Sequence, residues 1–174
     1  MSARIGVLGF AAALVAVAAA PAGATWRAAE NATTASYKLT FDVGPMEAMY
    51  TRAQAKAEHP STGEVMLAGG AMSAVGTGGH AMGMEGGLTG HVEVHVRSRS
   101  TGRVLGGLTP AILLQDVSTK SVPVQLQVVS MEGVGAGAAD LHYGNNVSLQ
   151  AGHRYRVVVR IDGQRATFGF RAPS

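Results

Sequence analysis

Cysteine is absent from this chain of 174 residues. That excludes disulfides, lipid attachment through an N-terminal cysteine, and thiolate as nucleophile or metal ligand. Aromatic residues make up only 5% of the sequence and none is interleaved with a basic run, so the stacking and phosphate-tracking surfaces of nucleic-acid binding are missing. The 14 Lys and Arg against 11 Asp and Glu leave too small a positive excess to supply one by charge alone. No Gly-x-Ser-x-Gly elbow, Walker loop or active-site carboxylate pair is present, and Gly76-Thr77-Gly78-Gly79 lacks the Lys that a phosphate loop needs, so an enzyme is not expected. Beyond the first 24 residues no segment approaches the roughly 20 consecutive apolar residues that span a bilayer.

Those first residues read as a cleavable secretory signal over 1–24. Arg4 supplies the positive start, Ile5 to Ala20 the apolar stretch, and Ala22-Gly23-Ala24 the small residues that signal peptidase accepts. The expected location is therefore periplasmic or secreted, in the cell envelope. The sequence predicts a flexible lead over 25–35 and one domain over 36–174, long enough to bury a core without staples.

Within that domain, short alternating segments separated by turn signals dominate. Tyr37 to Val43, Glu64 to Leu67, Thr89 to Ser98, Pro110 to Val117, Val122 to Ser130, Asn146 to Leu149, Arg154 to Asp162 and Arg165 to Arg171 read as strands, with Asp162-Gly163 as a hairpin turn. A short helix is expected around Tyr50 to Ala57, with Met46 and Met49 spaced to share one face and pack inward. Residues 69–90 are too rich in glycine for a regular element, and Met131 to Leu141 reads as a second loop. The fold class is all-β, an immunoglobulin-like antiparallel β-sandwich of about 7–8 strands with one long Gly/Met-rich loop.

The most informative stretch is His91-Val92-Glu93-Val94-His95-Val96-Arg97. As a strand it buries Val92, Val94 and Val96 and projects His91, Glu93, His95 and Arg97 from the opposite, wet face. Donors two residues apart on a strand sit about 6.6 Å apart at Cα, near enough for their side chains to converge on one small cation. Any half-exposed strand shows polar residues outward, so the pattern also fits a plain solvated face. The long loop adds His80, Met82 and Met84, soft donors suited to Cu(I), although methionines also serve as core gap-fillers. Downstream, Met131 and His142 bracket the second loop, and His142-Tyr143-Gly144-Asn145-Asn146 reads as a tight turn that holds an imidazole at a strand mouth, or as an ordinary turn that happens to carry one.

Taken in order, the Met82-Gly83-Met84 segment, the His-x-Glu strand, Met131, His142-Tyr143-Gly144-Asn145-Asn146-Val147 and the Gly-x-x-Tyr-x-Val strand resemble the bacterial periplasmic iron-transport proteins. The likeness covers roughly residues 83–161. It implies an immunoglobulin-like, copper-binding homodimer that works beside a high-affinity membrane iron permease, with copper ion and iron(II) ion as the bound metals. Carried over residue by residue, the ligands fall on His91, Glu93, Met131 and His142. The family's further C-terminal histidine has no counterpart here, and His95, His80, Met82 or Met84 is expected to take its place. A copper-buffering protein that uses the Met-rich loop, and an adhesion or interaction module with incidental histidines, are the competing readings. Histidine ligation predicts that metal affinity falls below about pH 6.

Overall fold

The computed structural model describes Trp26 and residues 29–68 and 87–174. The alternation of the His-Val-Glu-Val-His-Val strand organises it. Val92, Val94 and Val96 are fully buried and belong to the hydrophobic core, whereas His91, Glu93 and His95 do not. Among the described residues, eleven strands form two sheets: β1 (Ala29–Thr33), β2 (Tyr37–Pro45), β3 (Met49–Thr51), β4 (Glu64–Ala68), β5 (Gly87–Ser98), β6 (Ala111–Asp116), β7 (Val124–Gln125), β8 (Val129–Gly133), β9 (His142–Gln150), β10 (Arg154–Ile161) and β11 (Gln164–Arg171). The larger sheet runs β1-β2-β5-β9-β8-β4-β3 and the smaller β11-β10-β6-β7. All neighbours are antiparallel except β3 and β4. The chain is an all-β sandwich, as the short alternating strands predict, with more strands than the seven or eight expected.

The two sheets meet through apolar side chains contributed at every second position. Leu39, Phe41, Tyr143 and Leu149 from the larger sheet pack with Ile112, Val157, Val159, Phe168 and Phe170 from the smaller. Phe41 stacks on Phe168 with ring centroids 5.2 Å apart. Full burial of each such side chain stabilises the fold by about 1.5–3 kcal/mol. Tyr143 is buried with its hydroxyl satisfied, donating to the Leu105 carbonyl at 2.9 Å and accepting from the Leu108 amide at 3.1 Å. Asp162 and Gly163 both take positive φ, the hairpin geometry their sequence predicts.

Several boundaries differ from expectation, each for a local reason. Ala29–Thr33, expected to be loose, pairs in register with β2 as strand β1. Residues 122–130 do not form one strand: β7 is two residues long, and β8 begins only at Val129. Met131, placed in a loop by the glycines that follow it, lies inside β8. His142 begins strand β9 instead of preceding it in a turn, because the tight segment is the 3-10 turn Gly137–Asp140 just upstream.

The helix α1 (Arg52–Glu58) starts after Tyr50, because Thr51 caps it. The Thr51 hydroxyl accepts from the Gln54 amide and the Gln54 side chain accepts from the Thr51 amide, a reciprocal capping box. Met46 and Met49 share no helix face: Met49 lies on β3 and Met46 is half exposed.

Candidate metal centre

Directly opposed residues on paired strands point to the same side of a sheet, so the register of the larger sheet defines its outer face. His91 lies opposite Asn146, Glu93 opposite Gly144 and His95 opposite His142. On the next strands Met131 lies opposite His142, Met66 opposite Met131, and Glu64 opposite Gly133. On the other flank Asp42 lies opposite Glu93. Histidine, carboxylate and thioether side chains thus emerge from β2, β5, β9, β8 and β4 on the side turned away from the hydrophobic core.

This face is not wet where the site lies. His91 is 2% exposed, Glu64 5%, and His142 and Met131 fully buried. Met131 is nevertheless no part of the hydrophobic core cluster. The approach of β9 to β5 depends on Gly144, where a Cβ would sit 1.9 Å from the Val92 carbonyl oxygen. Only glycine fits there, and the glycine lets the His142 strand lie tightly against the Glu93 strand. Gly63, with φ +102°, performs a related task just before β4: a Cβ would stand 2.5 Å from the Ala48 carbonyl, the group that accepts the Glu64 amide hydrogen.

Four side chains converge. Ligating atoms of Glu64, His91, Glu93 and His142 all lie within 4.8 Å of one another. With metal–ligand bonds of about 2.1 Å, the donors of a single ion stand roughly 3–4 Å apart, so a small contraction would close this set around one. The His142 Nε2 is 3.3 Å from Glu64 Oε2 and 3.5 Å from Glu93 Oε2. The His91 and His142 rings stand edge to face, 6.0 Å apart. Among the described residues, three buried atoms, Glu64 Oε2, His91 Nε2 and His142 Nε2, have no well-formed hydrogen bond, although the first and last stand 3.3 Å apart. Buried polar atoms are almost always paired, and leaving one unpaired costs about 1–3 kcal/mol. Three in one cluster make a set that one cation would satisfy together.

The tautomers follow from the surrounding hydrogen bonds. Asn146 is held by the backbone of Glu47, whose amide donates to Asn146 Oδ1 at 3.2 Å and whose carbonyl accepts from Asn146 Nδ2 at 2.8 Å. Its Oδ1 is therefore the acceptor for His91 Nδ1–H at 3.0 Å, which leaves the His91 Nε2 lone pair facing the cluster. His142 Nδ1–H donates to the Asp140 carbonyl at 2.8 Å, which turns its Nε2 inward too. Metal-binding histidines characteristically have their second nitrogen anchored in this way.

The electrostatics are those of a site that attracts positive charge. Burial pushes the His91 pKa down, only partly opposed by Asn146 and the carboxylates, so this imidazole is neutral and ready to ligate. Burial would also lower His142, but the facing Glu64 carboxylate, the Asp140 carbonyl and Glu93 overcome it and raise its pKa to about 9. A proton at Nε2 is thus the cation that occupies the middle of the cluster at neutral pH. Burial raises Glu93, yet His95, His142 and His91 outweigh that and hold its carboxyl below the usual range. Around the rim Glu47 and Asp42 are pushed up, first by burial and then by neighbouring carboxylates.

Of the residues singled out from the sequence, His91, Glu93 and His142 come together, and Met131 lies on the same face in register with His142. His95 stands beside the cluster, its Nε2 3.9 Å from Glu93 Oε1 and its ring 5.2 Å from that of His142. His80, Met82 and Met84 lie outside the described residues. Glu64 was missed. Its signal was faint, a charged residue alternating with Met66 on a short strand of otherwise apolar residues. Asn146, which fixes the His91 tautomer, was read as a turn residue leading into a strand and not as part of the site. No protein-family model, curated protein or solved structure matches this chain.

Proposed function

We propose that this chain is an exported metal-binding protein that captures iron(II) or copper through Glu64, His91, Glu93, Met131 and His142 and passes it to a membrane permease. The convergence of three buried donors, Glu64 Oε2, His91 Nε2 and His142 Nε2, none of them with a well-formed hydrogen bond among the described residues, carries this reading. A single cation among them would satisfy all three at once. The donor set mixes imidazole nitrogen, carboxylate oxygen and, with Met131, thioether sulfur. Such a set favours copper by the general affinity order, and its oxygens admit Fe(II), Mn(II) or Zn(II) when copper is scarce. Transfer to a permease and pairing into a homodimer rest on the family resemblance of the His-x-Glu strand and the His-Tyr-Gly-Asn-Asn segment. Glu64 takes the place that the resemblance left empty.

The test is titration calorimetry of the chain lacking residues 1–24 with Cu(II), and with Fe(II) under anaerobic conditions. One ion should bind tightly at the cluster, and His91→Ala or His142→Ala should abolish that binding while circular dichroism stays native. Deleting residues 72–84 should leave it unchanged. Loss of binding on that deletion alone would favour the copper-buffering reading, and no tight binding of any transition metal would end the proposal.

A further inference from the structure

Metal donors on this face do not end with the buried cluster. A second group, Asp42, Glu93 and His95, also has its ligating atoms within 4.8 Å of one another, and it is half-buried on the adjoining strands β2 and β5. Among the described residues, no donor group joins His95 to Glu64 or His91. The donors therefore gather around an inner set, Glu64 and His91, and an outer set, Asp42 and His95. Glu93 belongs to a group with each, and His142 of the inner set also shares a group with His95 and Asp140.

Its two oxygens are already divided between them. Glu93 Oε2 is 3.5 Å from His142 Nε2, and Glu93 Oε1 is 3.9 Å from His95 Nε2. One carboxylate presenting one oxygen to each of two donor sets is the geometry of a bridging ligand, and paired metal sites place their ions about 3.5–4 Å apart. His142 lies directly opposite His95 in the sheet and shares a donor group with it and Asp140, which sets a ligand of the inner cluster beside the outer group.

We propose that Asp42, Glu93 and His95 hold a second divalent transition-metal ion, with Glu93 bridging it to the ion of the buried cluster. The proposal rests on the metal-binding reading above and extends it to an asymmetric dinuclear centre. Two oxygens and one nitrogen make the outer position the harder of the two, suited to Fe(II), Mn(II) or Zn(II), and its half-exposure makes it the position open to ion exchange.

Metal content after gel filtration and electron paramagnetic resonance of the Cu(II)-loaded chain test it together. The unaltered chain should carry two ions, and carboxylate-bridged Cu(II) pairs should show less than half the spin expected for isolated copper. Asp42→Asn, which keeps side-chain shape, and His95→Ala should each retain one ion and restore the full mononuclear signal. One ion at saturation, abolished by His91→Ala, would overturn the second site while leaving the buried one standing. Two uncoupled ions that persist in both Asp42→Asn and His95→Ala would overturn it as well. Failure of the chain to retain any ion would overturn the metal-binding reading itself, and with it this extension.

Discussion

Metal capture at the buried cluster should release one proton, and that proton should come from His142. Its Nε2 lies between the carboxylates of Glu64 and Glu93 at 3.3 and 3.5 Å, and its Nδ1 is committed to the Asp140 carbonyl. With its pKa raised to about 9, the imidazole is protonated about a hundredfold over neutral at pH 7. A metal must displace that proton, at a cost of roughly 3 kcal/mol at pH 7. Apparent affinity should therefore climb about tenfold per pH unit from near pH 6.5 to about 9, where an ordinary histidine site would already have levelled off. His91, whose pKa burial lowers, contributes no proton in this window. The proton can be counted directly. Calorimetric titration with Zn(II) at pH 7 in buffers of different ionisation enthalpy should give a dependence corresponding to nearly one proton released per ion. His142→Ala should lose both the binding and the dependence. A count near zero, or affinity that stays level between pH 6.5 and 8.5, would refute the reasoning, because the cluster would then hold its histidines neutral without metal.

The same proton governs the stability of the metal-free fold. Because the folded pKa of His142 lies above its unfolded value, its contribution is complete below about pH 6.5 and lost as pH rises through 9, roughly 3 kcal/mol in all; urea denaturation in the presence of chelator across that range measures it, and added Zn(II) should restore the loss. Gly144→Ala should destabilise the fold by at least about 2 kcal/mol in the same assay, because the new Cβ meets the Val92 carbonyl and neither strand can yield without breaking the β5–β9 ladder. Asn146→Ala should weaken metal binding by about 10–100-fold, since His91 then loses the acceptor that fixes its tautomer. Met131→Leu should weaken Cu(I) binding by at least about tenfold in a competition assay and leave Zn(II) nearly unchanged, because only the soft ion depends on the thioether.

What the sequence made legible divides along the distance over which each feature is determined. The alternation of β5 settles locally, so the burial of Val92, Val94 and Val96 and the common face of His91, Glu93 and His95 could be read directly. His142 could be noticed because Gly144 and the two asparagines that follow stand out, although their reason is not a turn. Gly144 permits the close approach of two strands, and Asn146 is a clamp between His91 and the Glu47 backbone. Glu64 was illegible for a different reason. Its place beside His142 depends on β4 pairing with β8, and β8 with β9, two long-range registers that nothing in the residues near Glu64 encodes. The outer face was expected to be wet for a similar reason, since a period-2 pattern reports which residues share a side, not whether that side is covered.

On the proposed function, the arrangement also accounts for how a cation site can persist in a folded chain before the cation arrives. A buried pair of carboxylates without compensation would cost several kcal/mol, and a fold carrying it would rearrange or take up water. Here the His142 proton serves as a resident cation between Glu64 and Glu93, while Asn146 and Asp140 keep both imidazoles from turning away. The backbone is fixed by the β5–β9 register, so binding requires exchange of one small cation for another and little movement of the protein. On the proposed function this exchange also sets the direction of transfer. Acidification returns the proton and weakens the hold on the metal, so capture is favoured at neutral to alkaline pH and release at acid pH, with a change of about tenfold for each pH unit.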